Sequence, residues 1–453
     1  MTKIYHLKLD GNRQELMIKK NKKVLLFGFL STVTASLLFV SNAQAESQYV
    51  IDKRNDQTSK LEAYLKFTRI VSIIEEQYVD ELNSSDIINK ALKGLLANLD
   101  AHSSFMDAKE SKELQVQTSG EFGGLGISVG MKDGALTVIS PIEGTPADKA
   151  GMKANDIILK IDDQATIGMN IDKAVSLMRG KPGTPISLTV IRKGEPKPVK
   201  VDIIRDIIEI QSVYAKTIGD NILYLRITSF DQKVISGLKK EIKKHPNTKG
   251  IVLDLRNNPG GLLNQAIGVV DMFIEEGVIV SQKGRVASEN LIYNATKPDT
   301  DTKTPLVILV NDGSASASEI VSGALQDHKR AVVVGEKTFG KGSVQVVMPV
   351  GNGESLRLTI ARYYLPSGRT IQAVGVTPDI EVAPAEIKKF DDLISIKERD
   401  LQKHLESELE KVDGVKKKET EETDKTVITD EQMYKDAQLK SAVDILKALM
   451  ISR

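Results

Sequence analysis

The sequence predicts a multi-domain α/β (α+β) chain, with a β-rich domain inserted ahead of an α/β core and helical segments at both ends. Three observations carry that reading. Residues 207–386 alternate continuous, β-branched apolar runs with helical stretches, the pattern of strands buried between helix layers. Residues 118–206 hold short β-rich runs around a cluster of glycines. Residues 46–110 and 387–453 carry helical spacing or dense charge. A chain of 453 residues is long enough for two to four such units, at roughly 100–200 residues per domain.

The first 45 residues read as a signal peptide or an N-terminal anchor. Lys19, Lys20, Lys22 and Lys23 precede the apolar run Val24–Val40, and Ala43-Gln44-Ala45 follows as a small-x-small cleavage pattern. Seventeen apolar residues are at the short limit for a spanning helix. Cleavage is therefore favoured, and an uncleaved helix anchored in the inner membrane is the alternative. Either form places the protein outside the cytoplasm, in the periplasm or the cell envelope. Met17 would begin a conventional short basic region.

In the N-terminal helical segment, 46–110, Leu61, Leu65, Ile70, Ile73 and Ile74 recur at helical spacing, and a second apolar helix is predicted from Asp86 to Leu99. Packing or dimer contact is their expected role.

In 118–206, Gly120, Gly123, Gly124 and Gly126 surround Phe122 and Leu125. Strands are predicted over Gly126–Val129, Leu136–Ser140, Asp156–Ile161 and Ile186–Arg192. Thr145-Pro146-Ala147 opens a short helix, and Ile171–Met178 forms a second that ends near Arg179 and Gly180. With Gly124-Leu125-Gly126-Ile127 ahead of the strands, this arrangement resembles a PDZ domain. The physical logic is that glycines let successive amides converge on one carboxylate, while the next strand edge pairs with an added peptide. The resemblance implies binding of protein or peptide C-termini. The bland reading is a glycine-rich hairpin without a ligand. Arg179 is a candidate relay between this domain and the core; its bland role is a cation at a helix C-terminus.

Within 207–386, buried strands are predicted at Ile222–Ile227, Gly250–Leu255, Leu306–Val310 and Ala331–Val334, with helices over 231–244, 262–275 and 316–327. Ser343–Val350 and Ser355–Tyr364 read as a hairpin closed by Gly351-Asn352-Gly353. The last segment, 387–453, is helical and charged, and Glu410–Lys425 reads as a solvated linker.

Composition removes several classes of chemistry. Net charge is +1 and Trp is absent, so nothing marks a nucleic-acid surface. Cysteine is absent, which excludes thiol nucleophiles, disulfides and thiolate metal sites. None of His6, His102, His245, His328 and His404 pairs at metal-ligand spacing, so no metal and no cofactor is expected.

Three segments carry chemistry. Leu253–Gly261 runs a strand into a Pro-Gly-Gly turn before a helix, which presents backbone N–H groups to an anion. Asn311–Glu319 takes a strand into a small-residue helix and exposes a hydroxyl at the sheet edge. Spacing alone does not choose among Ser314, Ser316 and Ser318, since serine is also a preferred N-cap. Gly335–Gln345 opens like a phosphate-binding loop, Gly335-x4-Gly340-Lys341. The next residue is Gly342 rather than Ser or Thr, and a strand follows instead of a helix, so the nucleotide-binding reading fails.

In this order, NNPGG, SASASE and FGKGSVQ resemble the carboxyl-terminal processing peptidases, or tail-specific proteases, over roughly residues 60–385. The resemblance implies a serine endopeptidase. It implies Ser316 as nucleophile and Lys341, 25 positions on, as general base, with Gln345 completing the triad. It also implies the amides of Gly261 and Ala317 as oxyanion donors, and a homodimer or higher oligomer through the terminal helices. Asp100-Ala101-His102-Ser103 resembles a linking motif in which His102 is structural. Lysine acts as a base only when neutral, so burial must lower its pKa, and a neutral glutamine beside it adds no charge to oppose that. A catalytically inactive PDZ scaffold is the alternative function. A Ser–His–Asp hydrolase is weaker, because His328 follows the serine helix too closely to reach back.

Overall fold

The computed structural model describes residues 58–219, 221–296, 300–387 and 426–452. The basic and apolar runs before Ala45 and the charged stretch Glu410–Lys425 lie outside the described residues. Helix α1 covers 58–77 and α2 runs from Ser84 to Ala97. Leu61, Leu65, Ile70 and Ile73, the residues at helical spacing, are exposed on α1. The chain divides into two compact units, the second from Lys93 to Arg453, and every sheet belongs to that second unit. No helix among the described residues is long and apolar enough to cross a membrane.

The second unit opens with β1 (Ser104–Met106) and α3 (Ala108–Ser119). Asp107 caps α3 and Glu110 returns the bond, a reciprocal capping box. The chain then enters the β-rich domain through β2 (Glu121–Gly124). The domain comprises β3 (Ile127–Lys132), β4 (Ala135–Pro141), α4 (Pro146–Lys149), β5 (Ile157–Ile161), β6 (Gln164–Ala165), α5 (Ile171–Met178), β7 (Pro185–Ile191) and β8 (Val199–Ile204). Its sheet runs β3-β4-β5-β7-β8 around Val138, Ile158, Leu188 and Val190, all at or near zero exposure. The chain leaves through β9 (Asp206–Glu209), which pairs antiparallel with β2. Entry and exit strands thus form one ribbon. Lys233 ties both strands to the core, 2.6 Å from Glu121 and 2.7 Å from Glu209.

The core contains β10 (Val213–Ile218), β11 (Ile222–Ile227), α6 (Val234–Lys244), β12 (Gly250–Asp254), α7 (Leu263–Asp271), β13 (Val278–Gly284), β14 (Leu291–Asn294), β15 (Leu306–Val310), α8 (Ala317–Asp327), β16 (Val332–Gly335), β17 (Ser343–Gly351), β18 (Glu354–Tyr364) and β19 (Ile380–Glu381). It is closed by α9 (Asp430–Tyr434) and α10 (Ala437–Ile451). The central sheet has the order β10-β11-β12-β15-β16-β19, with β11 to β19 parallel and β10 antiparallel at the edge. Leu253, Ile308 and Val310 face α6, α7 and α8 on one side. Val252, Val307 and Leu309 face α10 on the other. Burial on both faces explains the continuous apolar runs. Ala442, Val443 and Leu446 of α10 have no exposure, so that helix buries its apolar face on its own sheet. Arg256 fastens it there, 2.6 Å from Asp254 of β12 and 2.8 Å from Asp436 at the α10 N-cap.

A second sheet, β1-β18-β13-β14 with β17 on β18, packs through Val344, Ala361 and Tyr363 into the same core as α7 and α8. Its strands β13 and β14 carry no apolar run long enough to mark them in sequence.

Candidate active site

Two turns meet at the carboxyl ends of β12 and β15. Asn257 and Asn311 lace them: the Asn257 N–H donates to Asn311 Oδ1 at 2.8 Å, and Asn311 Nδ2 donates to Asn257 Oδ1 at 2.9 Å. Asn258 is fully buried and works in three directions. Its amide donates to Ile227 O, its Oδ1 accepts from Gly260 N–H, and its carbonyl accepts from Ala315 N–H and Ser318 Oγ. The Pro259-Gly260-Gly261 turn is thereby fixed against the start of α8.

The three serines separate here in a way their spacing does not reveal. Ser314 and Ser318 have no exposure, and their hydroxyls donate to Leu255 O at 2.8 Å and Asn258 O at 2.9 Å. Ser316 is half-buried, at the N-cap of α8, with φ 55° and ψ −109°. A left-handed φ is uncommon outside glycine and costs on the order of 1–3 kcal/mol, which surrounding contacts must sustain.

Glu319 supplies those contacts. Its side chain has no exposure and accepts four hydrogen bonds. They come from Ser316 N–H (2.7 Å), Lys341 N–H (2.8 Å), Gly340 N–H (2.7 Å) and Thr338 Oγ1 (2.6 Å). One carboxylate therefore binds the serine turn to the lysine loop. Phe339 N–H adds a bond to Ser314 O at 3.1 Å. Sequence reasoning missed Glu319, although a glutamate three residues after an N-cap serine is the capping-box signal.

Lys341 is half-buried, and its amine is pushed below the usual lysine value, first by burial and then by the charge of Arg357; Glu319 opposes this. Gln345 does not hydrogen-bond the lysine. It donates to Ser343 Oγ at 2.8 Å and Thr359 Oγ1 at 3.3 Å, because β17 has begun and the register with β18 faces Gln345 to Thr359. Thr359 also donates to Asp100, whose carboxylate accepts from Ser103 Oγ and from the N–H groups of His102 and Ser103. Burial acts to raise the Asp100 pKa, yet these bonds outweigh it and hold the carboxyl at about 2. His102 is not remote: burial first, and then the Lys341 charge, lower its pKa, with Asp100 opposing.

Ala317 follows Ser316 at the start of α8, and Gly261 follows Gly260, the turn residue that abuts Ser316. Neither N–H has an acceptor among the described residues. Gly260 is the close approach in this turn. A Cβ there would meet Ala315 O at 2.8 Å and both Ala317 N and Ser316 Cβ at 2.9 Å, at a φ of 101°. Gly260→Ala is expected to lower the melting temperature by several degrees, through strain of about 1–3 kcal/mol. It should also displace the serine turn and abolish activity, readable by thermal denaturation beside a cleavage assay.

In the β-rich domain, Gly124 ends β2 and Ile127 opens β3. The carbonyls of Leu125 and Gly126 accept from Ala147 N–H and Ile142 N–H, and the N–H groups of Leu125 and Gly126 have no acceptor among the described residues. Gly126 has φ 77°, and a Cβ there would strike Thr145 at 2.3 Å. Arg179 lies over the Phe122 ring of the β2–β9 ribbon at 4.7 Å, with a buried, unpartnered Nε. It does not cap the helix carbonyls. Arg205 does, donating to Leu177 O and Met178 O at 2.9 and 3.0 Å. His328 bonds Val278 O and His245 bonds Glu241 O, as packing histidines do.

Comparison with known proteins gives three family matches: peptidase family S41 over residues 221–382, a PDZ domain over 123–203, and the activating protease CtpB N-terminal domain over 25–110. The chain is 43% identical over 402 residues to a carboxy-terminal-processing protease of Bartonella bacilliformis, covering 87% of this chain and 90% of that one. It is 33% identical over 376 residues to the carboxy-terminal processing protease CtpA of Bacillus subtilis, covering 82% and 80%. Among solved structures it is similar to a photosystem II D1 C-terminal processing protease, with 28% identity and a TM-score of 0.40 over 70% of this chain and 92% of that one.

Proposed function

The chain belongs to the carboxy-terminal processing proteases of peptidase family S41, serine peptidases with a PDZ domain, and from that premise we propose which of its residues bind, attack and move the proton. Ser316 is the nucleophile. Lys341, whose amine is pushed below the usual lysine value by burial and then by the Arg357 charge, takes the Ser316 proton in its neutral form as Oγ attacks the scissile carbonyl carbon. The amides of Gly261 and Ala317 receive the developing oxyanion. The resulting ammonium returns its proton to the leaving amine. Lys341 then deprotonates the water that hydrolyses the acyl ester and frees Ser316. Gln345 acts one step removed, holding Thr359 and the Asp100 loop beside the lysine.

One observation carries this assignment. The Glu319 carboxylate binds the backbone N–H groups of both Ser316 and Lys341 and so holds hydroxyl and amine loops together without touching either reactive atom. The lowered lysine pKa has a thermodynamic consequence. Between its lowered pKa and 10.5 the unfolded chain carries a proton that the folded chain lacks, so stability rises with pH through that window.

The substrates are exported or envelope proteins, read by their C-termini and cut nearby. The basic and apolar runs ahead of Ala43-Gln44-Ala45 support export and leave both a released and an anchored form open. The Gly124–Ile127 loop takes the free carboxylate on the open N–H groups of Leu125 and Gly126. Arg179, stacked on Phe122 in the ribbon that joins the domains, relays occupancy to the core. The test is a matched pair of peptide substrates. A free-acid tail is expected to be cut at least tenfold more efficiently than its amide, on the worth of charge-assisted bonds to several amides. Arg179→Ala should erase that preference. Equal cleavage of acid and amide by the unaltered protein would remove the carboxylate-reader role.

A further inference from the structure

One short segment, residues 228–233 between β11 and α6, touches both the oxyanion turn and the root of the PDZ domain. At the turn, Phe230 N–H donates to Gly260 O at 2.9 Å, with Ser229 Oγ on the same oxygen at 3.5 Å. Leu262 N–H donates to Phe230 O at 2.7 Å, which makes a parallel bridge between Phe230 and Gly261. The two backbones touch, since a Cβ on Gly261 would collide with Phe230 O. In a trans peptide the C=O and the N–H point opposite ways. Holding Gly260 O on Phe230 therefore turns the Gly261 N–H away from the segment, where it has no acceptor among the described residues. The aim of this donor is set from outside the serine turn.

The next residue, Asp231, is 1% exposed. Its carboxylate accepts from Ser212 Oγ, just past β9, and from Lys233 N–H at 2.8 Å. Gln232 N–H donates to Thr118 O of α3 at 3.0 Å, and Thr228 N–H donates to Ser212 O at 3.0 Å. Gly120, on the way into the PDZ domain, comes so close that a Cβ there would lie 2.7 Å from Asp231 Cγ. A buried carboxylate held by two neutral donors is a costly way to build a turn, because its desolvation is not offset by a cation. We propose that Asp231 is a positioning residue for the oxyanion hole. Clamped between Ser212 and its own turn, it sets the Phe230 backbone, and Phe230 aims the Gly261 N–H at the developing charge. The inference rests on the reading of Gly261 as an oxyanion donor. It anchors that donor on the residues that lead into and out of the PDZ domain.

The experiment measures kcat, KM and the affinity for a peptidyl boronic acid on the full chain, with Asp231→Ala, Asp231→Asn and Ser212→Ala. The boronate adds to Ser316 Oγ and puts a boron-bound oxygen in the hole, so its affinity reports the donors directly. In Asp231→Ala, kcat should fall roughly 30-fold, part of the roughly 10²–10³ that one whole oxyanion donor is worth. Boronate affinity should fall by the same factor while KM holds. Asp231→Asn should restore most of both, because its oxygen can accept from Lys233 N–H and its NH₂ can donate to a rotated Ser212 hydroxyl. Ser212→Ala deletes one anchor only, and should lower kcat and boronate affinity roughly fivefold, again as a fraction of one donor. It carries the comparison if Asp231→Ala does not fold. A lower melting temperature with kcat and boronate affinity unaltered would make Asp231 structural and overturn the proposal. A raised KM alone would overturn it too, as would Asp231→Asn as impaired as Asp231→Ala. If the unaltered protein binds the boronate no better than Ser316→Ala does, the assignment of the nucleophile and its oxyanion donors fails, and the proposal with it.

Discussion

Ser316→Ala is expected to lose cleavage of an unfolded protein substrate by on the order of 10⁴-fold or more, with a melting temperature within about 2 °C of the unaltered protein. The catalytic half follows from the proposed role of Ser316 Oγ as the atom that forms the acyl bond. The stability half follows from the structure. The hydrogen bond that sustains the unusual φ of Ser316 comes from its backbone N–H to Glu319, which alanine preserves. Ser314→Ala and Ser318→Ala invert this pattern. Each deletes a buried hydroxyl engaged with a carbonyl of the neighbouring turn, and Ser314 also accepts from Asn311 N–H. Each should cost about 1–3 kcal/mol of stability while retaining measurable cleavage. Circular dichroism and initial rates on the three variants decide it. Substantial turnover by Ser316→Ala would move the nucleophile elsewhere.

Glu319→Gln is expected to be the most damaging change outside the reacting groups. The carboxylate accepts two bonds at each oxygen. An amide can accept on one side only. On the other its NH₂ would face two donors, either Ser316 and Lys341 N–H or Thr338 and Gly340. Two buried donors then lose their acceptor, at about 1–3 kcal/mol each. The Ser316 turn and the Lys341 loop are released from their common anchor, and a displacement of about 1 Å between reacting groups is worth roughly 10²-fold in rate. The expected result is a lower urea midpoint together with kcat down by about 10²-fold, measured where the variant is still folded. Asp at this position is one methylene too short to span both loops and should not rescue. A variant with a lower midpoint and an unaltered kcat would confine Glu319 to stability.

Much of the architecture is legible along the chain. Ile222–Ile227 and Leu306–Val310 are strands at their predicted bounds, and α5 occupies Ile171–Met178 as its spacing implies. Long apolar runs and glycine turns are local properties, so the residues themselves report them. Elements without such a signal are not legible. β14 is the four residues Leu291–Asn294, and the β2–β9 ribbon joins segments more than eighty positions apart. The interior of the charged terminal segment is similar: α10 is amphipathic and engaged with the central sheet, while the charge count of that region points to solvent.

The sequence by itself determined the order of domains and the three chemical segments, because each depends on neighbouring residues. The tertiary structure alone decided four other matters. It separated Ser316 from Ser314 and Ser318 by burying the latter pair against a turn some sixty positions away. It turned Gln345 toward Thr359 through the β17–β18 register. It made Arg205, rather than Arg179, the cap of α5. It half-buried Lys341 and exposed it to the charge of Arg357, from a strand that begins thirteen residues later. In each case the deciding quantity is a desolvation or a directed hydrogen bond. Those depend on which distant groups the fold brings within a few ångströms, and no local pattern encodes that.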